Sequence, residues 1–363
     1  MAETSSGECL NKKGEFLSFK LSMAWELPVV WAIRVYFGSR LKSVRGLGRL
    51  KLSSIALIDY VSSANLRNKL LINGFWRSGT TWLQQTLVDA LNAKSLFEPF
   101  SPAAGHKWDQ LSHTVSEASR NVYMPLSANC LTPRDRMTLY LALKGVGTHG
   151  YTHFLRSAHS PVWSKSLMVK STQLGFVLDE IARNRTLPII HIRRHPAAVY
   201  ASFKETDWSW SIQDVRLDQN YSLQDFTKGT VEYERAETLL RFDQSPAHRM
   251  AALWSLSERA AQQSIRSNRA QFVSYEDIVS EGAAILNRLQ ISSVNIQSNV
   301  TASPVTNIGR ESLTVKERLN DWTSRLTPFE IDCIRSVCQE LFPDNGYFQN
   351  SAHPIGERRF RTG

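Results

Sequence analysis

The sequence contains few cysteines and lacks a long apolar run, and each of these features excludes certain classes of protein. The four cysteines show neither CxxC nor metal-ligand spacing with histidine, so no disulfide framework or metal site is predicted and a reduced cytoplasm is the default. The apolar stretch 23–37 is short and carries charges, so it predicts neither a membrane-spanning helix nor, without a small-residue cleavage site, a signal peptide. Tandem repeats and low-complexity segments are also lacking.

The composition that remains predicts a globular protein with an anionic partner. Hydrophobic residues make up 42% of the 363 residues, and 43 Lys and Arg against 33 Asp and Glu leave a net charge of +10. That charge suits a nucleotide, a sulfated or phosphorylated acceptor, nucleic acid or an anionic membrane, without choosing among them. Residues 23–51 are apolar and then basic, which favours an amphipathic helix packed on the domain, with a weak peripheral membrane contact as the alternative.

Residues 70–91 carry the strongest local pattern. The run at 70–72 predicts a buried strand, residues 74–81 predict a tight turn, and the apolar period that follows predicts a helix. This geometry directs backbone N–H groups at one point and favours a phosphate there. The turn has the GxxxxG spacing of a Walker A loop, but Thr80 replaces its lysine and Arg77 is the only cation. We therefore predict a phosphate loop without the usual lysine and magnesium pair, a purely structural turn being the alternative.

Three further apolar runs predict strands, at residues 166–170, 188–192 and 270–275. Helical periods alternate with them, which predicts an α/β protein with a P-loop-like three-layer fold: a central, mostly parallel sheet flanked by helices. Lys170 ends one strand, where ligands bind in such sheets. The pair 193–194 follows the next strand and precedes Pro and a helix, which predicts a second anion pocket.

Glu98 is the candidate general base. It lies between aromatic residues and directly before a proline, where a poorly solvated carboxylate suits proton transfer, and a turn-capping role is the alternative. The irregular stretch 101–167 that follows is long enough to cover a site, and its histidines include His106. These histidines show no ligand spacing with a carboxylate, so a metal site is not predicted.

Two motifs in the right order resemble those of the sulfotransferases. RSGTTW at 77–82 resembles their 5′-phosphosulfate loop, and RHPAAVYAS at 194–202 resembles their 3′-phosphate element RxPxxVxxS. The YED at 275–277 is also similar to theirs. Asp-Trp at 321–322 resembles the end of their C-terminal segment, of whose basic pair only Lys316 is present. The resemblance spans about residues 70 to 348 and implies a domain at 66–350, with an N-terminal tail and basic segment at 1–65 and a basic tail at 351–363.

What the resemblance implies is a metal-free enzyme that uses 3′-phosphoadenosine 5′-phosphosulfate (PAPS) and releases 3′-phosphoadenosine 5′-phosphate (PAP). The positions that match the donor-binding motifs are Arg77, Ser78, Gly79, Thr80, Thr81, Trp82, Arg194, Ser202, Tyr275 and Lys316. A 3′,5′-bisphosphate needs two separate anion sites, and the residues predict two independently of the resemblance.

The resemblance also bears on catalysis. Cytosolic sulfotransferases carry a histidine where this chain has Thr172, whereas the LFEPF around Glu98 resembles the bacterial and carbohydrate-sulfotransferase branch, in which the glutamate is the base. We therefore expect Glu98 to be the base, with His106 as the alternative, and Arg77 and Lys170 to contact the transferring group.

The expected function is sulfuryl transfer to a hydroxyl, or an amine, of a small-molecule, carbohydrate or glycolipid acceptor. The expected localisation is cytoplasmic or peripheral to a membrane, with no nucleic acid partner, and the oligomeric state stays open. A P-loop nucleotide kinase or hydrolase is the alternative, but it requires a lysine at position 80 and a carboxylate after the strand 188–192. A non-enzymatic polyanion- or membrane-binding protein is a further alternative, and it leaves both motifs unexplained.

Overall fold

Five parallel strands in the described part of the chain form a central sheet. The computed structural model describes residues 68–91, 93–99, 133–143, 166–183, 187–205, 231–241, 243–267, 270–282, 284 and 314–348. The strands are β1 (Asn68–Gly74), β2 (Lys94–Phe97), β3 (Ser166–Ser171), β4 (Ile189–Arg193) and β5 (Gln271–Ser274). Their order across the sheet is β2-β3-β1-β4-β5, and every neighbouring pair is parallel.

Helices accompany the strands along the chain. Those before β5 are α1 (Thr80–Leu91), α2 (Pro133–Leu143), α3 (Leu178–Arg183), α4 (Pro196–Lys204), α5 (Val231–Leu240) and α6 (Pro246–Arg266). Those after it are α7 (Tyr275–Glu281), α8 (Val315–Asn320), α9 (Trp322–Arg325) and α10 (Pro328–Leu341). Short 3₁₀ turns at Gly175–Val177 and Pro343–Asn345 precede α3 and follow α10.

Both faces of the sheet are covered, because successive residues of a strand point to opposite sides. Leu71 of β1 and Ile189 of β4 pack with apolar residues of α2, α3 and α6. Ile72 of β1 and Ile190 of β4 pack instead with α1 and with Ile278 of α7. The arrangement is a three-layer α/β fold, and the predicted fold class is confirmed.

A second core lies among the helices. Residues of α4, α5, α6, α9 and α10 form it, and Trp254 of α6 is fully buried there. Phe75 and Trp76, which directly follow β1, belong to the same cluster. The turn after β1 is therefore anchored in this core, together with the helices of residues 314–348.

The carboxyl ends of the five strands lie at one edge of the sheet. The register pairs Gly74 of β1 with Ile192 of β4, and Phe97 of β2 with Lys170 of β3. The helix after β1 packs on one face, while α4, after β4, packs with α6 on the other. Open α/β sheets bind ligands where neighbouring strands send their chains to opposite faces, so the ends of β1 and β4 mark the expected binding point.

Strand β2 is the part of the sheet that sequence analysis missed. It has only four residues and includes Lys94 and Ser95, so its apolar run is too short to predict a strand. The strand predicted at 270–275 ends earlier, because Tyr275 starts α7 and the Ser274 hydroxyl caps that helix by accepting the Asp277 N–H at 3.0 Å.

The start of the last long helix agrees with its sequence signals. Thr327 and Glu330 form a capping box, and Pro328 is the first residue of α10. Cys333, Val337 and Leu341 are buried along this helix, whereas Phe329 is 65% exposed.

The predicted terminal tails 1–65 and 351–363, and the basic segment 23–51, lie outside the described residues and stay predictions. Among the residues that the structure describes, no helix combines the length and the apolar character that crossing a membrane requires.

Candidate active site

The turn between β1 and α1 has the geometry of an anion-binding loop. The Ser78 N–H donates to the Phe75 carbonyl at 3.2 Å, which closes the turn. Arg77 and Gly79 both have left-handed backbones, with φ of 59° and 89°. Glycine adopts such a φ freely, whereas an arginine there is uncommon. The N–H groups of the first turn of α1, beginning at Thr80, have no partner within the helix, so they are available to an anion.

Tyr275 packs on this turn at a point where a side chain larger than hydrogen does not fit. A Cβ added to Gly79 would lie 2.5 Å from Cδ2 of Tyr275. The same ring lies edge-on to Trp82, with centroids 6.1 Å apart and planes at 73°. Trp82 and Tyr275, both among the predicted donor-binding positions, are therefore neighbours beside the turn.

Arg77, Arg194 and Ser202 come together at the turn, although more than a hundred residues separate the two motifs. Arg194 follows β4, and its Nη1 donates to the Arg77 carbonyl at 2.9 Å. Its guanidinium carbon lies 4.5 Å from the centroid of the Tyr275 ring. The Arg77 Nε donates to the hydroxyl of Ser202, in α4, at 3.0 Å. The two predicted anion positions thus form one continuous basic surface.

Two buried polar atoms at this surface have no hydrogen-bond partner within the described residues. They are the Ser78 hydroxyl oxygen and the Arg194 Nε. The Ser78 side chain is fully buried. Leaving a buried donor unpaired costs about 1–3 kcal/mol, and native proteins seldom do so. Both atoms are hydrogen-bond donors, so an anionic ligand is the kind of partner that they lack.

The basic pair 193–194 divides between two roles. Arg193 points away from the turn, and its Nε donates to Oε2 of Glu258 in α6 at 2.8 Å. His191 Nε2 lies 2.8 Å from the same oxygen. Burial acts to raise the pKa of Glu258, but the charges and hydrogen bonds of His191 and Arg193 hold it below its usual value. Arg193 therefore ties β4 to α6, and of the pair only Arg194 reaches the turn.

The loop after β4 is held by the C-terminal part of the described chain. The His195 N–H donates to Oε1 of Glu276 at 2.8 Å, and the hydroxyl of Tyr347 donates to Oε2 at 3.1 Å. The His195 ring stacks on Trp322, with centroids 4.6 Å apart. Burial raises the pKa of Glu276 above its ordinary value. The Glu of the YED motif and the Trp of the Asp-Trp pair thus act on the loop that presents Arg194.

Glu98 follows β2 directly, with its side chain nearly buried. Its backbone N–H continues the strand pairing by donating to the Lys170 carbonyl at 2.8 Å. Lys170 Nζ lies 2.5 Å from Oε1, and Thr172 donates its hydroxyl to Oε1 at 2.8 Å and its N–H to Oε2 at 3.0 Å. Glu98 has a φ of 42°, and it and Arg77 are the described non-glycine residues with left-handed backbones. Strain of this kind clusters at functional sites.

The strand order sets the spacing between these groups. The turn follows β1, and Arg194 follows β4, its neighbour on one side. Lys170 is the last but one residue of β3, the neighbour on the other side. Glu98 follows β2, one strand further out. Because neighbouring strands lie about 4.8 Å apart, Glu98 and Arg194 are about 14 Å apart along the edge, with the turn between them.

Some predicted site residues lie elsewhere or outside the described residues. Lys316 is exposed on α8, which packs against α7, and the structure assigns its side chain no contact with the turn. His106 lies outside the described residues. Sequence reasoning missed the contacts of Thr172 with Glu98, although this residue stands where cytosolic sulfotransferases carry histidine. It also missed Glu258, for which no local pattern exists. In the described residues, no three His, Cys, Asp or Glu side chains are grouped as a metal site.

The fold and this site define an α/β protein with a P-loop-like anion site at the carboxyl edge of a parallel sheet. A family model described as "Sulfotransferase family" matches residues 70–290. The chain therefore belongs to the sulfotransferase family and is an enzyme of sulfuryl transfer.

Solved structures were also compared with the chain. The sulfotransferase domain from the curacin biosynthetic pathway is 15% identical, covering 74% of this chain and 96% of that one, with a TM-score of 0.37. The corresponding domain of the Synechococcus PCC 7002 olefin synthase is 18% identical, covering 74% and 94%, with a TM-score of 0.37. Retinol dehydratase in a complex with retinol and PAP is 12% identical, covering 75% and 69%, with a TM-score of 0.28. Among curated protein sequences, none matches the chain significantly.

Proposed function

We propose that the chain transfers a sulfuryl group from PAPS to a hydroxyl group of a small-molecule, carbohydrate or glycolipid acceptor, with Glu98 as the general base. The observation that carries the proposal is the meeting of Arg77, Arg194 and Ser202 at the start of α1. A 3′,5′-bisphosphate requires two neighbouring anion positions, and these residues together with the helix N-terminus offer them.

The residues present fit the donor. The unpartnered Ser78 hydroxyl and Arg194 Nε are both hydrogen-bond donors, as phosphate oxygens require. The turn and α1, through residues 77–81, would hold the 5′-phosphosulfate, and Arg194 with Ser202 would hold the 3′-phosphate. Tyr275 and Trp82 offer aromatic surface for the adenine beside the same turn. When bound, PAPS supplies the sulfuryl group, and PAP is the product.

We assign the chemical step to Glu98 and Lys170, on the side of the turn away from Arg194. Glu98 takes the proton of the acceptor hydroxyl as the acceptor oxygen bonds to sulfur. Lys170, near the end of the strand beside β1, balances the charge of Glu98 and is the cation that we propose to contact the transferring group. The strand order supports this division, because it puts the base on one side of the turn and Arg194 on the other.

Ligand-induced stabilisation tests the donor. Adenosine 3′,5′-bisphosphate should raise the melting temperature far more than ATP with Mg²⁺ at equal concentration, since the stabilisation is RT ln(1 + [L]/Kd). Adenosine 5′-monophosphate, which lacks the 3′-phosphate, serves as the matched ligand and should stabilise less. Equal or stronger stabilisation by ATP with Mg²⁺ would contradict the proposal and favour a nucleotide kinase or hydrolase.

The Glu98→Gln variant tests the base. It keeps the shape and one acceptor oxygen but cannot take a proton, so turnover should fall by roughly 10²–10⁴ while the bisphosphate still binds. Glu340→Gln, at an exposed glutamate that pairs with Arg235 at 2.8 Å, is the matched control and should keep turnover. If Glu98→Gln keeps full turnover and His106→Ala does not, the base is His106. If Glu98→Gln loses melting temperature and donor binding together, Glu98 only holds a turn.

A further inference from the structure

Thr172 contacts both oxygens of the Glu98 carboxylate. Its hydroxyl donates to Oε1 at 2.8 Å, and its N–H donates to Oε2 at 3.0 Å. Together with the bond from Lys170, Oε1 receives two donors and Oε2 receives one. Both partners of the Glu98 carboxylate lie within residues 170–172.

The position of Thr172 follows from the strand. Lys170 is the last but one residue of β3, and Thr172 is the first residue after it. Residues two apart on an extended chain point to the same side, so Lys170 and Thr172 both face Glu98 while Ser171 does not. The Lys170 carbonyl also accepts the Glu98 N–H at 2.8 Å. Backbone and side chain of Glu98 are thus fixed by one short segment of the neighbouring strand.

We propose that Thr172 is a positioning residue for the general base and that it leaves Oε2 as the oxygen that takes the proton. This inference rests on the proposed function of Glu98. A carboxylate oxygen offers two lone-pair sites, so Oε1 is filled by its two donors whereas Oε2 keeps one site free. That site is available to the acceptor hydroxyl.

The chemical step balances with this assignment. Oε2 of Glu98 takes the hydroxyl proton while the acceptor oxygen forms its bond to sulfur. The bond between sulfur and the oxygen of the 5′-phosphate breaks, and that oxygen keeps the electron pair. Glu98 carries the proton until it passes to solvent. Displacing a reacting group by about 1 Å can cost 10²-fold in rate, which is why the direction of Oε2 matters.

The Thr172→Val variant tests the inference, since valine keeps the shape of threonine and the backbone N–H but removes the hydroxyl donor. We expect turnover to fall by roughly tenfold or more, the scale of one hydrogen bond to a charged group. The bisphosphate Kd and the melting temperature should stay near those of the wild type. Thr172→Ser, which keeps a hydroxyl, should recover most of the turnover.

Two comparisons separate the outcomes. Thr238→Val removes a hydroxyl that donates to the Glu234 carbonyl at 2.8 Å within α5, and it should leave turnover unchanged. Wild-type turnover in Thr172→Val, with an inactive Glu98→Gln, would overturn the inference and leave the base in place. Parallel loss of melting temperature and donor binding in Thr172→Val would show a merely structural role and overturn it too. Full turnover in Glu98→Gln would instead refute the proposed base itself.

Discussion

Replacing Arg194 with alanine tests whether the second anion position holds the 3′-phosphate. In the structure its Nη1 donates to the Arg77 carbonyl at 2.9 Å and its guanidinium lies over the Tyr275 ring. Its buried Nε has no partner among the residues that the structure describes. The variant therefore removes a cation with a donor left for a ligand, and it also removes one bond that fixes the turn. Losing the cation and its donor should weaken the binding of ligands with a 3′-phosphate. Losing the bond that fixes the turn should weaken the binding of every ligand of the turn.

The expected increase in Kd follows from the loss of the Arg194 guanidinium as a donor to the 3′-phosphate. A hydrogen bond to a charged group contributes about 2 kcal/mol. That free energy corresponds to a Kd about 30-fold higher. At a bisphosphate concentration 100 times the wild-type Kd, ligand stabilisation is about 2.7 kcal/mol for the wild type and about 0.9 kcal/mol for the variant.

Calorimetric titration with two ligands gives the decisive measurement. In Arg194→Ala the Kd of adenosine 3′,5′-bisphosphate should rise by the whole of this factor. The Kd of adenosine 5′-phosphosulfate, which lacks the 3′-phosphate, should rise only a few-fold. Arg259→Ala is the matched control, because the Arg259 Nη1 also donates to a backbone carbonyl, that of Leu341 at 3.3 Å, in the helical core. Equal losses for both ligands in Arg194→Ala would refute the assignment of the 3′-phosphate to Arg194.

Other perturbations have equally defined outcomes. Gly79→Ala should abolish bisphosphate binding in titrations, because the added Cβ would meet Tyr275. Gly282→Ala, also at positive φ but in open space, is the control and should lose stability alone. Donor binding by Gly79→Ala would contradict the close approach of Tyr275 to Gly79. Burial raises the pKa of Glu276, so the folded chain keeps the Glu276 proton to higher pH than the unfolded chain, and the free energy of unfolding falls as pH rises above the ordinary glutamate pKa. In urea unfolding, raising the pH from about 5 to about 8 should therefore reduce the stability of Glu276→Gln less than that of the wild type. Parallel curves of stability against pH for the two proteins would refute this. Turnover should persist in excess EDTA, since Thr80 replaces the lysine that accompanies Mg²⁺ in nucleotide hydrolases; complete loss that Mg²⁺ restores would contradict it.

The positions of the turn and of Arg194 in the fold were predictable, because each belongs to a short contiguous motif next to a predicted strand. Their proximity was also predictable in kind, since the carboxyl ends of parallel strands share one edge. The division between Arg193 and Arg194 follows from strand alternation, but the partner of Arg193, Glu258, lies 65 residues further on and has no local signal. The contacts between Thr172 and Glu98 depend on the register of β2, whose pattern is too short to predict a strand at all.

The contacts of the loop after β4 have a consequence for biosynthesis. Tyr347 follows Glu276 by 71 residues, and Trp322 likewise reaches His195 from the C-terminal side. A chain emerges from the ribosome N-terminus first, so the sheet and the turn after β1 can form before these partners exist. In a nascent chain arrested before residue 322, we expect the second anion position beside the turn to lack these supporting contacts. Donor binding should therefore begin only in longer chains, in which residues 322–347 have left the exit tunnel.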